Sequence, residues 1–216
     1  MSQPFDRNCT VPAPKTPDKR LKDWWVENPW LINQKGKSLS GHERNRVFLN
    51  DRGETFYEIS ALTSADSEGD GRSVVPLDFS GDGMEDLIVR QAGGGALFLF
   101  ENRFPKAHWL DVWLEGTQSN KQGIGARIEA TVAGRRIVRE NFPANGFKSQ
   151  GPAYVHLGLG QATRVENLVI RWPSGMVQEL ANVNADRAVR VTEGQPNWRV
   201  IHAGKRISSP SQEAPQ

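Results

Sequence analysis

Arg127-Ile128-Glu129-Ala130-Thr131-Val132-Ala133-Gly134-Arg135-Arg136-Ile137-Val138-Arg139-Glu140 holds a strand, a turn and a second strand. Ile128, Ala130 and Val132 alternate with Arg127, Glu129 and Thr131. That period of two turns one side of a strand to a core and the other to water. Ala133-Gly134 then reads as the tight connection of a hairpin, and Arg135 to Glu140 as its return strand. The same period recurs on both sides. Leu110, Val112 and Leu114 make an aliphatic face, with Trp109, Asp111 and Trp113 opposite. Tyr154 to Leu159, Val165 to Trp172 and Ala188 to Val191 supply further strands. The pattern predicts an all-β fold in which residues 105–195 form a small β-sandwich, one face of each sheet solvated.

Residues 45–104 form a second β region. Val47-Phe48-Leu49 leads into a turn at Asn50-Asp51-Arg52-Gly53, and Thr55-Phe56-Tyr57-Glu58-Ile59 completes a hairpin signature. Val74-Val75-Pro76-Leu77 enters an acidic loop, Leu87-Ile88-Val89 leaves it, and Gly93-Gly94-Gly95 precedes Ala96 to Phe100. The region is about the size of one β-propeller blade, and at roughly 40–50 residues per blade the chain is too short for a whole propeller. Residues 1–44 read as an extended, Pro-rich arm whose Trp24, Trp25 and Trp30 serve as large rings to pin it to a core. Residues 196–216 are polar and read as a flexible tail.

The 216 residues carry a net charge of +2, spread unevenly. Residues 45–104 hold eleven Asp and Glu against five Lys and Arg. Such a segment suits a cation site or a solvated acidic face. A single Cys excludes an intramolecular disulfide framework and a CxxC-type zinc site. No apolar run approaches the ~20 residues of a membrane-spanning helix. The N-terminus shows no basic stretch followed by an apolar one, which reads either as a cytoplasmic chain or as one whose leader or upstream segment is missing from this sequence.

The sharpest chemical signal is Asp78-Phe79-Ser80-Gly81-Asp82-Gly83-Met84-Glu85-Asp86-Leu87. Asp78, Ser80, Asp82 and Asp86 stand at the first, third, fifth and ninth positions, and Gly83 at the sixth permits a sharp turn. This is the spacing by which alternate oxygens converge on Ca²⁺, with the Met84 carbonyl at the seventh position. The twelfth position is Val89, so the bidentate Glu of an EF-hand is missing, and the flanks read as strands. Two readings stand: a calcium loop in a β setting, or a Gly/Asp turn held by side-chain-to-amide hydrogen bonds with no ion. Glu85 points out of the ligand series in this register and reads as solvated. Asp66-Ser67-Glu68-Gly69-Asp70-Gly71 repeats the early spacing without a ninth-position acid and reads as a turn.

No HExxH, GxSxG, P-loop or CxxC motif is present. His156 sits amid apolar residues and reads as a satisfied core histidine. Arg135, Arg136 and Arg139 form a small basic patch, read as a solvated strand face; an anionic glycan is the minor alternative, and no nucleic-acid partner is expected. Trp172-Pro173-Ser174-Gly175 reads as a strand ending in a turn with Pro at its second position.

Together these residues resemble a known pairing. Asn45-Arg46-Val47-Phe48-Leu49-Asn50 with Gly53 and Thr55-Phe56, followed by Asp78 to Leu87, resembles an FG-GAP/VCBS repeat. Gly123-Ile124-Gly125-Ala126-Arg127-Ile128, Ser149-Gln150, His156-Leu157-Gly158-Leu159-Gly160, Arg171-Trp172-Pro173-Ser174-Gly175 and Glu193-Gly194 resemble the ASPIC/UnbV domain. The order is similar to the C-terminal end of cartilage acidic protein-like proteins. The resemblance implies an extracytoplasmic or secreted β-rich protein that binds calcium and serves adhesion or matrix contact. It also implies several repeats closing a propeller, where this chain has one. Three functions follow as expectations: a non-catalytic, calcium-stabilised interaction or adhesion-type module for protein partners, an accessory subunit of a larger membrane-associated or extracytoplasmic complex, or a carbohydrate-binding or carbohydrate-active protein.

Overall fold

A computed structural model describes residues 3–4, 37–38, 44–51, 53–67, 69, 71–91 and 96–203. The Trp-rich arm, the Gly93–Gly95 turn, the acids at 68 and 70 and the end of the tail lie outside the described residues. Gln3–Pro4 (β1) pairs antiparallel with Lys37–Ser38 (β2). The chain divides into two compact units, Met1–Val75 with Leu87–Phe100, and Pro76–Asp86 with Glu101–Gln216. The acidic loop therefore belongs with the sandwich that follows it in sequence.

In the first unit Phe48–Asp51 (β3) and Thr55–Glu58 (β4) form an antiparallel hairpin. Its turn is held by Asn50 Oδ1, which accepts the Gly53 N–H at 2.7 Å, with Gly53 at φ 83°. A single helical turn, Ser60–Thr63 (α1), follows and ends at Ser64 in the left-handed region. Ser60 is buried, and its hydroxyl oxygen accepts the Val47 N–H at 2.8 Å, tying the turn back to the entry of β3. Gly71–Leu77 (β5), Asp86–Gln91 (β6) and Leu97–Phe100 (β7) make a three-stranded sheet with β6 central. The strands of residues 45–104 are thus shared between a two-stranded and a three-stranded sheet.

The second unit is the sandwich. One sheet has the order β10-β9-β12-β13, from Arg127–Val132 (β9), Arg135–Glu140 (β10), Arg164–Arg171 (β12) and Val177–Asn184 (β13). The other has the order β11-β8-β14-β15, from His108–Glu115 (β8), Tyr154–Gly160 (β11), Arg187–Thr192 (β14) and Trp198–Ala203 (β15). All neighbours are antiparallel except β8 and β14. Ile128, Ala130, Val132, Val165, Leu168 and Ile170 from the first sheet meet Leu110, Val112, Leu157, Leu159, Val189 and Val191 from the second in one core. Removing a fully buried leucine from such a core costs about 2–5 kcal/mol. The Ala133-Gly134 connection has both residues at positive φ, 48° and 72°, so it is the type of two-residue turn that matches strand twist. Trp172 O accepts the Gly175 N–H at 2.9 Å, closing the expected turn with Pro173 at its second position.

Three features depart from the sequence reading. β13 is a full strand where none was expected. β15 occupies residues assigned to the tail, pairing with β14 from Arg187↔Ala203 to Val191↔Trp198. The outer face of β8 is not solvated: Trp109 is 4% and Asp111 8% exposed.

One carboxylate ties the connections of the sandwich together. Glu193 is 1% exposed. It accepts the N–H groups of Thr117, Gln118 and Ser119 and the hydroxyls of Ser119 and Ser174. Burial works against its charge, yet the Ser119 amide, the two serine hydroxyls and the Thr117 amide hold the carboxyl at about 2, below the ordinary 4.5. Stability contributed by ionised Glu193 is therefore complete above about pH 4.5 and is lost as pH falls toward 2. Glu193→Gln should lower the melting temperature at neutral pH and flatten its fall in acid. Melts of both proteins between about pH 2 and pH 6 check this; parallel acid limbs would show that another group carries the acid sensitivity.

Candidate functional site

The acidic loop links β5 to β6, and its geometry follows from its carboxylates. Asp78 opens it. Asp78 Oδ1 accepts the N–H groups of Gly81 (2.7 Å) and Asp82 (3.1 Å), and Oδ2 that of Gly83 (2.8 Å). The Ser80 hydroxyl donates to Asp78 Oδ1 at 3.4 Å. Asp86 closes the loop from a fully buried position, 1% exposed. Its Oδ2 accepts the amides of Phe79 and Ser80, and Oδ1 that of Asn102 at 2.7 Å. Asp82 Oδ1 accepts the Met84 N–H at 2.9 Å, and its Oδ2 pairs with the Lys106 ammonium. Asp78, Ser80, Asp82, Met84 and Asp86 thus share one tight turn, as their spacing predicted.

Within that turn the oxygens are committed to N–H donors. Among the described residues no three His, Cys, Asp or Glu side chains are grouped to hold a metal ion. In kind the donors suit calcium, which takes six to eight hard oxygens. In arrangement, Asp78 and Asp86 are turned onto backbone amides, Met84 enters through its N–H, and Lys106 holds the outer oxygen of Asp82. The turn in this form is the one built from side-chain-to-amide hydrogen bonds.

The loop lies on the outer face of β8 and β11. A Cβ at Gly83 would collide with the Trp109 indole, and Gly83 sits at φ 87°, so both space and backbone call for glycine. The Asp78 N–H donates to the Tyr154 hydroxyl at 3.4 Å. Trp109 stacks on His156 with ring centroids 6.5 Å apart, and Trp113 packs against Tyr154 at 5.3 Å. This contact explains the buried outer face of β8.

Beside the loop is a cleft that the sequence did not reveal. It has a volume of about 160 Å³ and is lined by Pro76, Glu85, Arg139, Phe142, Tyr154 and His156 among others. His156 Nδ1 bonds Asp111 Oδ1 at 2.8 Å, so the histidine is satisfied as expected, though it lines the cleft and not the core; its partner stands directly across on β8 and 45 residues away in sequence. Burial alone would lower its pKa, but the Asp111 hydrogen bond and the negative charges of Glu85, Asp111 and Asp78 raise it above the ordinary value. Burial pushes the Glu85 carboxyl up, with His156 and Arg139 opposing and Asp111 and Asp78 adding to the rise. Burial also pushes the Tyr154 phenol up to about 12. Glu85, expected in solvent, is a half-buried cleft residue. Its position in the loop register gave no sign of this, because the surface it meets comes from β11 and residues 139–152. The basic patch is divided: Arg136 pairs with Glu129 at 2.6 Å, while Arg139 lines the cleft.

Residues 116–197 match the family described as ASPIC and UnbV. The span holds β9 to β14 and Glu193; the acidic loop and β8 precede it. Among curated proteins none matches the chain. No helix among the described residues is long and apolar enough to cross a membrane.

Asp86→Ala should destabilise the protein by about 3 kcal/mol, because three backbone amides lose their one buried acceptor at once. Asp82→Ala, whose side chain is 25% exposed, should cost clearly less. Denaturant unfolding of both variants checks the order; equal losses would mean that Asp86 is not what closes the loop.

Proposed function

We propose that this chain, with an ASPIC/UnbV domain at residues 116–197, is a non-catalytic protein-interaction module that works outside the cytoplasm. The observation that carries the reading is the β3–β4 hairpin. Phe48, Leu49, Phe56 and Tyr57 are between 46% and 62% exposed, and Leu62 just beyond is 85% exposed. Adjacent residues of a strand point to opposite faces, so the hairpin offers water an apolar surface on both sides. Two-stranded hairpins are marginal alone, and contiguous exposed apolar surface marks sites of protein contact. The resemblance of this segment to an FG-GAP repeat supports the same reading, since repeat units bury their faces against neighbours.

The acidic loop is the ion-responsive part of the proposal. Asp78, Ser80, Asp82, Asp86 and the Met84 carbonyl would hold calcium, which would neutralise the carboxylates and stiffen the β5–β6 connection. To do so Asp82 must exchange the Lys106 ammonium for the ion.

Replacing Leu49 and Phe56 together by Ser should leave the melting temperature unchanged while abolishing binding of a hydrophobic dye and any concentration-dependent association seen in sedimentation. A melt lowered by several degrees would instead make these side chains part of a core and end the reading. For the ion, calcium added after chelation should raise the melting temperature, and more so in Lys106→Met than in the parent protein. A Lys106→Met protein that ignores calcium would remove the ion from the proposal.

A further inference from the structure

We propose that the cleft formed by β10, β11, residues 141–152 and Glu85 receives a single basic side chain, Arg or Lys, from a partner protein. The inference rests on the interaction-module reading and names the chemistry of the partner.

Size sets the first limit. At about 160 Å³ the cleft is well below the ~300–1,000 Å³ of sites for drug-sized ligands. With ~30 Å³ per water it has room for about five waters. One side-chain head fits; a nucleotide does not.

Charge sets the second. The Glu85 carboxylate accepts no hydrogen bond and makes no ion pair among the described residues, although it is partly buried against Pro76, Tyr154 and His156. A carboxylate in that position is costly to leave without a donor. Its two basic neighbours act on it only through space and make their hydrogen bonds elsewhere. His156 Nδ1 is bonded to Asp111, and an Arg139 N–H donates to the Val138 carbonyl at 2.9 Å. The lining holds two carboxylates, Glu85 and Glu140, against the one guanidinium of Arg139, so acid exceeds fixed cation by one. A monovalent cation restores the balance.

Shape and surface set the third. Tyr154 and the exposed ring of Phe142 line the same cleft. Aromatic faces attract ammonium and guanidinium groups held close to them. A guanidinium or ammonium therefore finds a carboxylate to accept its N–H groups and rings to cover its stem. A neutral sugar would satisfy the hydrogen bonds of Glu85 but leave the charge uncompensated.

The test is a titration of the full chain, in chelator, with N-acetyl-arginine amide and N-acetyl-lysine amide, followed by NMR shifts of the cleft residues. N-acetyl-glutamine amide and methyl glucoside serve as neutral probes. The basic amides should saturate the cleft and the neutral ones should not. Glu85→Gln should weaken binding about tenfold, the size of one lost charged hydrogen bond. Arg139→Gln, an exposed change that removes a competing like charge, should tighten it. Should Glu85→Gln fail to fold, the Arg139→Gln result still decides. Equal binding of the neutral probes, saturation by the glucoside alone, or weaker binding in Arg139→Gln would overturn the proposal. Any of these alongside unchanged behaviour of the β3–β4 hairpin variants would leave the interaction-module reading in place.

Discussion

The sandwich unit depends on a strand that is buried on both sides. β8 sends Leu110, Val112 and Leu114 into the core between the sheets. It sends Trp109 and Asp111 outward, where they are equally shielded. An antiparallel sheet of a small domain ordinarily keeps one face for water. Here the turn from Asp78 to Asp86 takes the place of water, its Gly83 set against the Trp109 ring. A loop pressed onto an aromatic surface loses solvent for its own polar groups. Its carboxylates face its amides: every N–H from Phe79 to Met84 meets an aspartate oxygen. On the same face, the β8–β11 register stacks His156 on Trp109 and sets it against Asp111.

The alternation that reveals strands is a local property, and the elements it revealed are those whose packing is local. β9 and β10, joined through Ala133-Gly134, are written in fourteen consecutive residues, and the sheet forms as the pattern says. β13 escaped for a physical reason. Gln178 points inward because its side chain satisfies the Trp172 indole N–H and the Gln195 carbonyl. At Asn182, φ 54°, the strict period is interrupted, so that Leu180 and Val183 are both buried. A polar residue inside and a break in phase erase the period-two signal. β15 escaped because its buried contribution is mostly the half-covered Trp198, with Val200, Ile201 and His202 exposed. Its strand character comes from pairing with β14, which only the tertiary fold supplies.

The site was legible to a similar depth. Spacing alone placed Asp78, Ser80, Asp82, Met84 and Asp86 in one turn, because Gly81 and Gly83 at positive φ are a sequence-level instruction to fold back. Spacing did not show where each oxygen would point. That depends on Asn102 and Lys106, which lie beyond the sheet, and on the indole beneath the loop. Glu193 was visible only as part of a motif. Its role comes from loops 117–119 and 173–175 converging on it, up to 76 residues away in sequence.

Three aspartates in one turn require positive potential, and two sources compete to supply it. Backbone amides are partial charges already in place and cost no association entropy, and Asp78 and Asp86 use them fully. Asp82 reaches the rim, where a whole charge is available: the tethered ammonium of Lys106, or a divalent ion from solution. The ion attracts each carboxylate about twice as strongly at equal distance, but it must shed water and displace a cation held on the same chain. Glu85 stands outside both solutions. It is the fourth acid of the segment, accepting none of the amides that serve its neighbours and lining a cleft where two carboxylates face one guanidinium. The loop that satisfies Asp78, Asp82 and Asp86 from within is thereby the structure that leaves Glu85 to be satisfied from outside.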